Sequence, residues 1–299
     1  MTKTQHGIVA CVIGATTWGF NGVVSQFLLS HYPVEPSWLA SIRMCLAGLF
    51  LTLMVLPTKR TEIHQMLHDP VSLRHLVLFA LFGLILSQFS YLSAIKNSNA
   101  GTATVLQTLS VVLMSLYLAV RFHKRPTGRE ILSVFLAFGG VYLAATNGNP
   151  STMVISPLGL TWGLIGAIAC VTYPVLSQGL AANCGAAVAN GLGMIIGGVF
   201  LSLTLQVWTV WPALDPTGWL AVAFIVIIGT ALSFTAFVTG ISEIGPMKAT
   251  LLGTLEPVVA SVTSAIALGT TFHTVELIGY ACIIATVFII ILQKKPAIS

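Results

Sequence analysis

Apolar runs of similar length recur along the chain, separated by short polar breaks. Ten of them lie near residues 8–29, 38–56, 75–95, 101–120, 131–147, 158–181, 188–210, 218–240, 247–268 and 276–293. A helix that crosses a hydrocarbon core of roughly 30 Å needs about 20 mostly apolar residues, and these runs match that requirement. The longest break, 57–74, has no room for a soluble domain. The pattern predicts an all-α polytopic membrane protein with ten transmembrane helices.

The pattern also repeats. GTATVLQTLSVVL (101–113) aligns without gaps with MKATLLGTLEPVV (247–259), matching Ala103 with Ala249, Thr104 with Thr250, Thr108 with Thr254 and Leu109 with Leu255 at an offset of 146. The same offset pairs Gly83, Leu86 and Ser87 with Gly229, Leu232 and Ser233, and Glu130 with Glu276. Upstream the offset drifts: Gly48, Phe50 and Leu51 meet Gly198, Phe200 and Leu201, and the IGA and VxSQxL strings of 13–28 recur in 165–180. The chain therefore divides into a first five-span repeat (1–147), a linker (148–157) and a second five-span repeat (158–299). Five is odd, so the second copy enters the membrane the opposite way up. Two inverted repeats about a pseudo-two-fold axis in the membrane plane offer a route to alternating access and place a substrate site at their interface, near the midplane. The pattern points to a transporter and leaves its cargo open.

Composition agrees: 56% of residues are hydrophobic, only 7% are charged, and the mean hydropathy is +0.94. A soluble domain carries about a quarter charged residues; here lipid covers the surface. The net charge of +5 is distributed unevenly. With alternating breaks, Lys3, Lys59, Arg60, Arg74, Arg121, Lys124, Arg125, Arg129, Lys248, Lys294 and Lys295 gather on one side and Lys96 alone on the other. Positive charge marks the cytoplasmic face, so both termini are expected in the cytoplasm of a cell with a bacterial-type inner membrane, and the charge implies no nucleic-acid partner. Trp38, Trp162, Trp208, Trp211, Trp219 and Tyr32 fall near the outer ends of spans, as an interfacial aromatic belt does; Trp18 sits near mid-membrane. The first apolar run, behind Lys3, mimics a signal peptide, but the repeat argues that it is retained. The five cysteines show no paired spacing and read as small hydrophobic packers. No zinc-protease, phosphate-loop or nucleophile-elbow motif is present, so the sequence implies neither an enzyme nor a cofactor, and any transport is passive or ion-coupled.

Polar side chains inside spans must face protein or a water-filled cavity. In the first span, Gly14, Trp18, Asn21, Gly22 and Ser25 share one helical face; the sixth span offers Gly166, Cys170, Tyr173, Pro174 and Ser177. The third gives Gly83, Ser87, Ser90 and Tyr91, with Gln88 beside them; the eighth gives Gly229, Ser233, Ala236 and Phe237; the fourth adds Thr104, Gln107 and Thr108, and the ninth Gly253, Glu256 and Ala260. Small residues on these faces, and Gly193-x-x-x-Gly197, also suit close helix packing. The larger members, Trp18, Asn21, Gln88, Tyr91, Gln107 and Tyr173, need bonded partners or a cavity. A wall of aromatics and amides suits a small zwitterion or a flat organic cation. The fifth and tenth spans carry few polar residues and are expected at the periphery, facing lipid or a second copy in a homodimer.

Two intramembrane charges remain. Arg43 lies about one and a half turns inside the second span, where it either snorkels to the interface, pairs, or captures a substrate carboxylate. Glu256 is deeper, and three roles stay open: proton carrier, ammonium ligand, or hydrogen-bonded structural acid. Pro257 follows it, removing a backbone donor and crowding the carbonyl of Gly253. A bend is expected there.

TLEPVVASVTSAIALGTTFHTVELIGYACIIATVFII (254–290) resembles the C-terminal signature of the EamA domain of the drug/metabolite transporter superfamily. The resemblance rests on Leu-Glu-Pro-Val, a short polar loop and a Gly-containing last span, and the inverted duplication extends it over nearly the whole chain. Thr270 and Thr271 stand where family members often carry an acid, and Ser110-Val111 stands where some repeat Glu-Pro. The aromatic-rich TTWGFNGVVSQ resembles YddG-type exporters of amino acids. That resemblance implies export of aromatic and other neutral amino acids, with organic cations as further cargo. A proton-driven multidrug exporter, with Glu256 as its acid, and a non-transporting membrane scaffold are the alternatives.

Overall fold

The computed structural model describes residues 2–121, 123, 128–149 and 155–291, and all regular structure among them is helical. Ten long helices follow one another: α1 (Lys3–His31), α2 (Pro36–His68), α3 (Pro70–Lys96), α4 (Ala100–Gln107 and Ser110–Arg121), α5 (Gly128–Thr146), α6 (Pro157–Cys184), α7 (Ala186–Leu205), α8 (Pro216–Ile244), α9 (Pro246–Gly253 and Leu255–Leu268) and α10 (Thr274–Ile291). Eight are long and apolar enough to cross a membrane; α5 and α10 hold shorter apolar stretches, Ile131–Thr146 and Thr274–Thr286. Lys124, Arg125, Lys294 and Lys295 of the basic side lie outside the described residues, as do 150–154 of the linker and the side chain of Glu130.

The helix starts follow local chemistry. Asp69, Ser156 and Asp215 each precede a proline and accept a hydrogen bond from the backbone N–H three residues on, at Ser72, Gly159 and Gly218 (2.9, 3.0 and 2.7 Å). Proline fits the first helical turn because its missing N–H has no partner there, and the capping oxygen satisfies one orphan donor. Asp69-Pro70 and Asp215-Pro216 are also related by 146 residues, a repeat match that the apolar pattern did not reveal. The Asp215 carboxyl is held below the usual carboxylate range by the Tyr32 hydroxyl, which donates at 2.6 Å, and then by the Gly218 N–H.

One expected break is largely helical. α2 runs on through Pro57 to His68, kinked at Lys59 (φ −123°), and buries Ile63 and Met66. The aromatic belt also needs one correction: Trp38 is buried, with its ring 5.5 Å from Trp211 and 6.5 Å from Trp219, which stay exposed.

Helix packing mirrors the sequence repeat. α2 lies along α7 and α5 along α10, while α1 packs on α8 and α9 as α6 packs on α3 and α4. Exchanging the first five helices for the second five maps this set of neighbours onto itself. α3 and α8 carry matching wide, π-helical turns at Phe79–Ile85 and Ile227–Leu232. Glycines set the closest approaches: a Cβ on Gly140 would meet the Gly279 carbonyl oxygen at 2.7 Å, and one on Gly48 the Gly191 carbonyl oxygen at 2.8 Å. A small apolar core between α4, α5 and α10 keeps these last two helices away from the molecule's centre, on the periphery.

Candidate functional site: a central cavity between the repeats

α4 and α9 are each interrupted halfway, and the interruptions are repeat-mates. Thr108 (φ −65°, ψ −15°) and Thr254 (φ −68°, ψ −4°) sit between two helical segments. At the first, the chain tightens to hydrogen bonds three residues apart, from Thr108 N to Val105 O (3.0 Å) and Val111 N to Thr108 O (3.0 Å). The bend expected near Gly253 and Pro257 is present, and its mate opposite Val111 forms without a proline. Pro257 is the third residue of the second segment, a position whose N–H has no intrahelical partner in any case.

These breaks face a cavity with about 90 Å³ open to water centres, room for roughly six waters. α1, α2, α3, α4, α6, α8 and α9 all contribute to its wall. Trp18, Asn21, Arg43, Ser87, Gln88, Tyr91, Thr104, Gln107, Tyr173, Phe237, Glu256 and Pro257, all singled out in the sequence, line it. Ser233 does not. Its hydroxyl reaches back to Ile228 O (2.5 Å) and across to Thr17 Oγ1 (2.7 Å). Phe234, the next residue, lines the cavity together with Phe237, three positions further on the same helical segment. Thr250 and Thr254 were also missed, although each is the repeat-mate of a threonine already named, Thr104 and Thr108.

Glycines on facing helices make space for the large side chains. A Cβ on Gly229 would overlap the Asn21 amide, and one on Gly22 the Tyr91 hydroxyl. A Cβ on Gly166 would stand 2.9 Å from Gln107 Nε2. Part of the cavity wall is aromatic: Trp18 lies 4.5 Å from Phe237, 4.7 Å from Phe234 and 6.5 Å from Tyr173, ring centre to ring centre. The wall also carries polar groups. Trp18 Nε1, Asn21 Oδ1, both polar atoms of Gln88 and Tyr91 Oη are buried without a hydrogen bond of good geometry to protein.

Arg43 does not snorkel. It is 1% exposed, lines the cavity, and donates from one terminal nitrogen to the Gln88 carbonyl at 2.9 Å. Glu256 occupies the first turn of the second α9 segment, where the helix dipole favours a negative group. Its carboxyl faces the Tyr91 hydroxyl and lies within electrostatic range of Arg43, with no direct ion pair. Glu256 is half-buried and lines the cavity.

Five residues beyond Asn21, about 7.5 Å along α1, Gln26 closes the end of the bundle opposite the N-terminus. Its carbonyl oxygen accepts from Ala100 N (2.9 Å) and Ser264 Oγ (3.0 Å), and its amide donates to Thr270 Oγ1 (3.2 Å). Ser264 and Thr270 also pair at 2.6 Å. Thr270 thus helps tie α1, α4 and α9 together. Beside it, buried Glu276 accepts from Tyr280 and Thr102.

A ten-helix membrane bundle with a polar-and-aromatic cavity between two matched halves is the build of a membrane transporter. The chain matches the EamA-like transporter family over residues 5–146 and 157–292, and it belongs to that family. It is 30% identical over 295 residues to the protein named uncharacterized inner membrane transporter YicL of Salmonella typhimurium, covering 99% of this chain and 98% of that one. It is 26% identical to the uncharacterized transporter YyaM of Bacillus subtilis, covering 87% of each chain. A solved crystal structure with 18% identity superposes with a TM-score of 0.64, over 97% of this chain and 96% of its own, and shares the fold.

Proposed function

We propose that this protein exports amino acids, aromatic and other neutral ones, or similar small metabolites across the cytoplasmic membrane by alternating access. The observation that carries the reading is the cavity at the repeat interface, where an aromatic cluster lies beside buried polar atoms of Trp18, Asn21 and Gln88 that have no hydrogen-bond partner. A small amphipathic solute would meet both kinds of wall at once, its apolar part against Trp18, Phe234 and Phe237 and its polar part among Asn21, Gln88 and Tyr91. With the N-terminus in the cytoplasm, the Gln26 network closes the outer side, and the cavity loads from within. Lipid, or a second copy in a homodimer, covers the exposed Phe135 and Phe138 of α5.

A second reading, a proton-driven exporter of organic cations, is favoured by Glu256 standing in an aromatic cavity. Purified protein in liposomes, given a panel of labelled amino acids and one flat organic cation, separates the two. Amino-acid flux with little cation flux is expected. Cation flux alone, dependent on an imposed pH gradient, would reverse the order of the readings, and flux of no solute would remove both.

A further inference from the structure

Arg43 and Glu256 are contributed by different repeats, and neither charge has a counterpart in the other half. Glu256 is the mate of Ser110; at the α2–α7 offset of 150 set by Gly48 and Gly198, Arg43 is the mate of Gly193. The structural task of Arg43 is nevertheless duplicated without a charge. Arg43 donates to the carbonyl of Gln88 on α3, and on the mate of that residue, Phe234 of α8, the carbonyl accepts from Asn190 Nδ2 of α7 at 3.1 Å. A neutral amide is enough to hold a helix in that way. The positive charge of Arg43 is surplus to it, and Arg43 Nε is buried with no acceptor. The ion pairs among the described residues, His6–Glu243 and Lys59–Glu62, leave Arg43 out. Glu256 acts on Arg43 at electrostatic range without touching it; a buried guanidinium with no contacting counter-ion is unfavourable, and the cavity is where a carboxylate can reach it.

We propose that the cavity binds a zwitterion in a single orientation, its carboxylate on Arg43 and its ammonium on Glu256, with the third substituent against Trp18, Phe234 and Phe237. This assignment rests on the amino-acid reading and sharpens it. The Tyr91 hydroxyl, facing Glu256, stands between the two charged groups as a further polar contact. Because one charge comes from each half, the bound zwitterion bridges the repeats and its occupancy bears on how they move relative to each other. An amine without a carboxylate leaves Arg43 unpaired, and an acid without an ammonium leaves Glu256 unmatched. Both are expected to be poor substrates. In this arrangement Arg43 is the group that turns away simple organic cations.

The test uses the full chain in liposomes with labelled phenylalanine and labelled phenethylamine, and 3-phenylpropionate as a competitor. For Arg43→Gln, phenylalanine affinity is expected to fall by about 30-fold or more, the usual scale for truncating one partner of a buried charge pair, while phenethylamine is unaffected or improved. Equal losses for phenylalanine and phenethylamine would show a purely structural arginine and overturn the proposal, as would unchanged phenylalanine affinity. Should Arg43→Gln fail to fold, Glu256→Gln gives the complementary reading: 3-phenylpropionate should approach phenylalanine as a competitor. An unaltered ratio there overturns the assignment. Absence of amino-acid flux in the unsubstituted protein strikes the amino-acid reading itself, whereas normal flux with unshifted variants strikes only the orientation.

Discussion

Gln26→Ala tests whether the hydrogen-bond cluster at the end opposite the N-terminus holds that end shut. The side chain makes three bonds, to Ala100 N, Ser264 Oγ and Thr270 Oγ1, joining α1 to α4 and to the α9–α10 connection. Gln26 is half-buried, so each bond is taken at the low end of the range, about 0.5–1 kcal/mol. The sum is about 1.5–3 kcal/mol, and at 1.4 kcal/mol per tenfold the closed arrangement loses about 10- to 150-fold in population relative to an open one. Ser264 and Thr270 keep their mutual bond, which limits local damage. Cys170 lines the cavity and reports on access. With Cys11, Cys45, Cys184 and Cys282 replaced, its rate of modification by a membrane-impermeant methanethiosulfonate is measured in whole cells and in inverted vesicles. The rate from the side that Gln26 faces should rise at least tenfold in Gln26→Ala, with no increase from the other side. Unchanged rates from both sides would refute the argument, because the cluster would then contribute nothing to closure.

Other outcomes follow from the same geometry. Gly229→Ala and Gly22→Ala place a methyl where the Asn21 amide and the Tyr91 hydroxyl now sit, and each should destabilise by about 1–3 kcal/mol, read as a lowered unfolding temperature in detergent. Gly179→Ala has open space around its Cβ and should leave that temperature unchanged or slightly raised. Pro257→Val copies the first repeat, where the break forms at Thr108 without proline; spin-label distances between the two ends of α9 should keep their distribution, and a straightened helix would contradict the account. The Asp215 carboxyl is held below its ordinary value of 3.8 by the Tyr32 hydroxyl. Its stabilising contribution is therefore fully present above that pH and fades as pH falls through the lower folded-state value. Tyr32→Phe should weaken this dependence, seen as a smaller loss of thermal stability on acidification below pH about 4.

How far the site was readable differed from helix to helix. On α1, Trp18 and Asn21 share a cavity face because that helix is unbroken, and the 3.6-residue period places them correctly. On α8 the same reasoning chose Ser233 and Phe237; Phe237 lines the cavity, but the Ser233 hydroxyl is taken up by Thr17 and Ile228, and Phe234 lines the cavity beside Phe237. The π-helical turns of α3 and α8 were not legible in the apolar pattern. Arg43 was left between snorkelling, pairing and capture for a different reason. Its depth along α2 allowed snorkelling, and only the packing of α3 beside it turned the side chain inward to the Gln88 carbonyl.

Hydrophobic length, charge asymmetry and internal repetition are properties of the chain itself, so the membrane class, the ten helices and the two related halves were determined by sequence. Lipid imposes these constraints before any helix meets another, because each span must satisfy its own backbone. Which side chains meet was settled later, by tertiary packing: glycines of one helix receiving polar groups of the next, and two unmatched charges from different repeats brought to one cavity. Such contacts join residues far apart in the chain, more than 200 positions between Gln26 and Ser264 or between Asn21 and Gly229, and no local pattern encodes them.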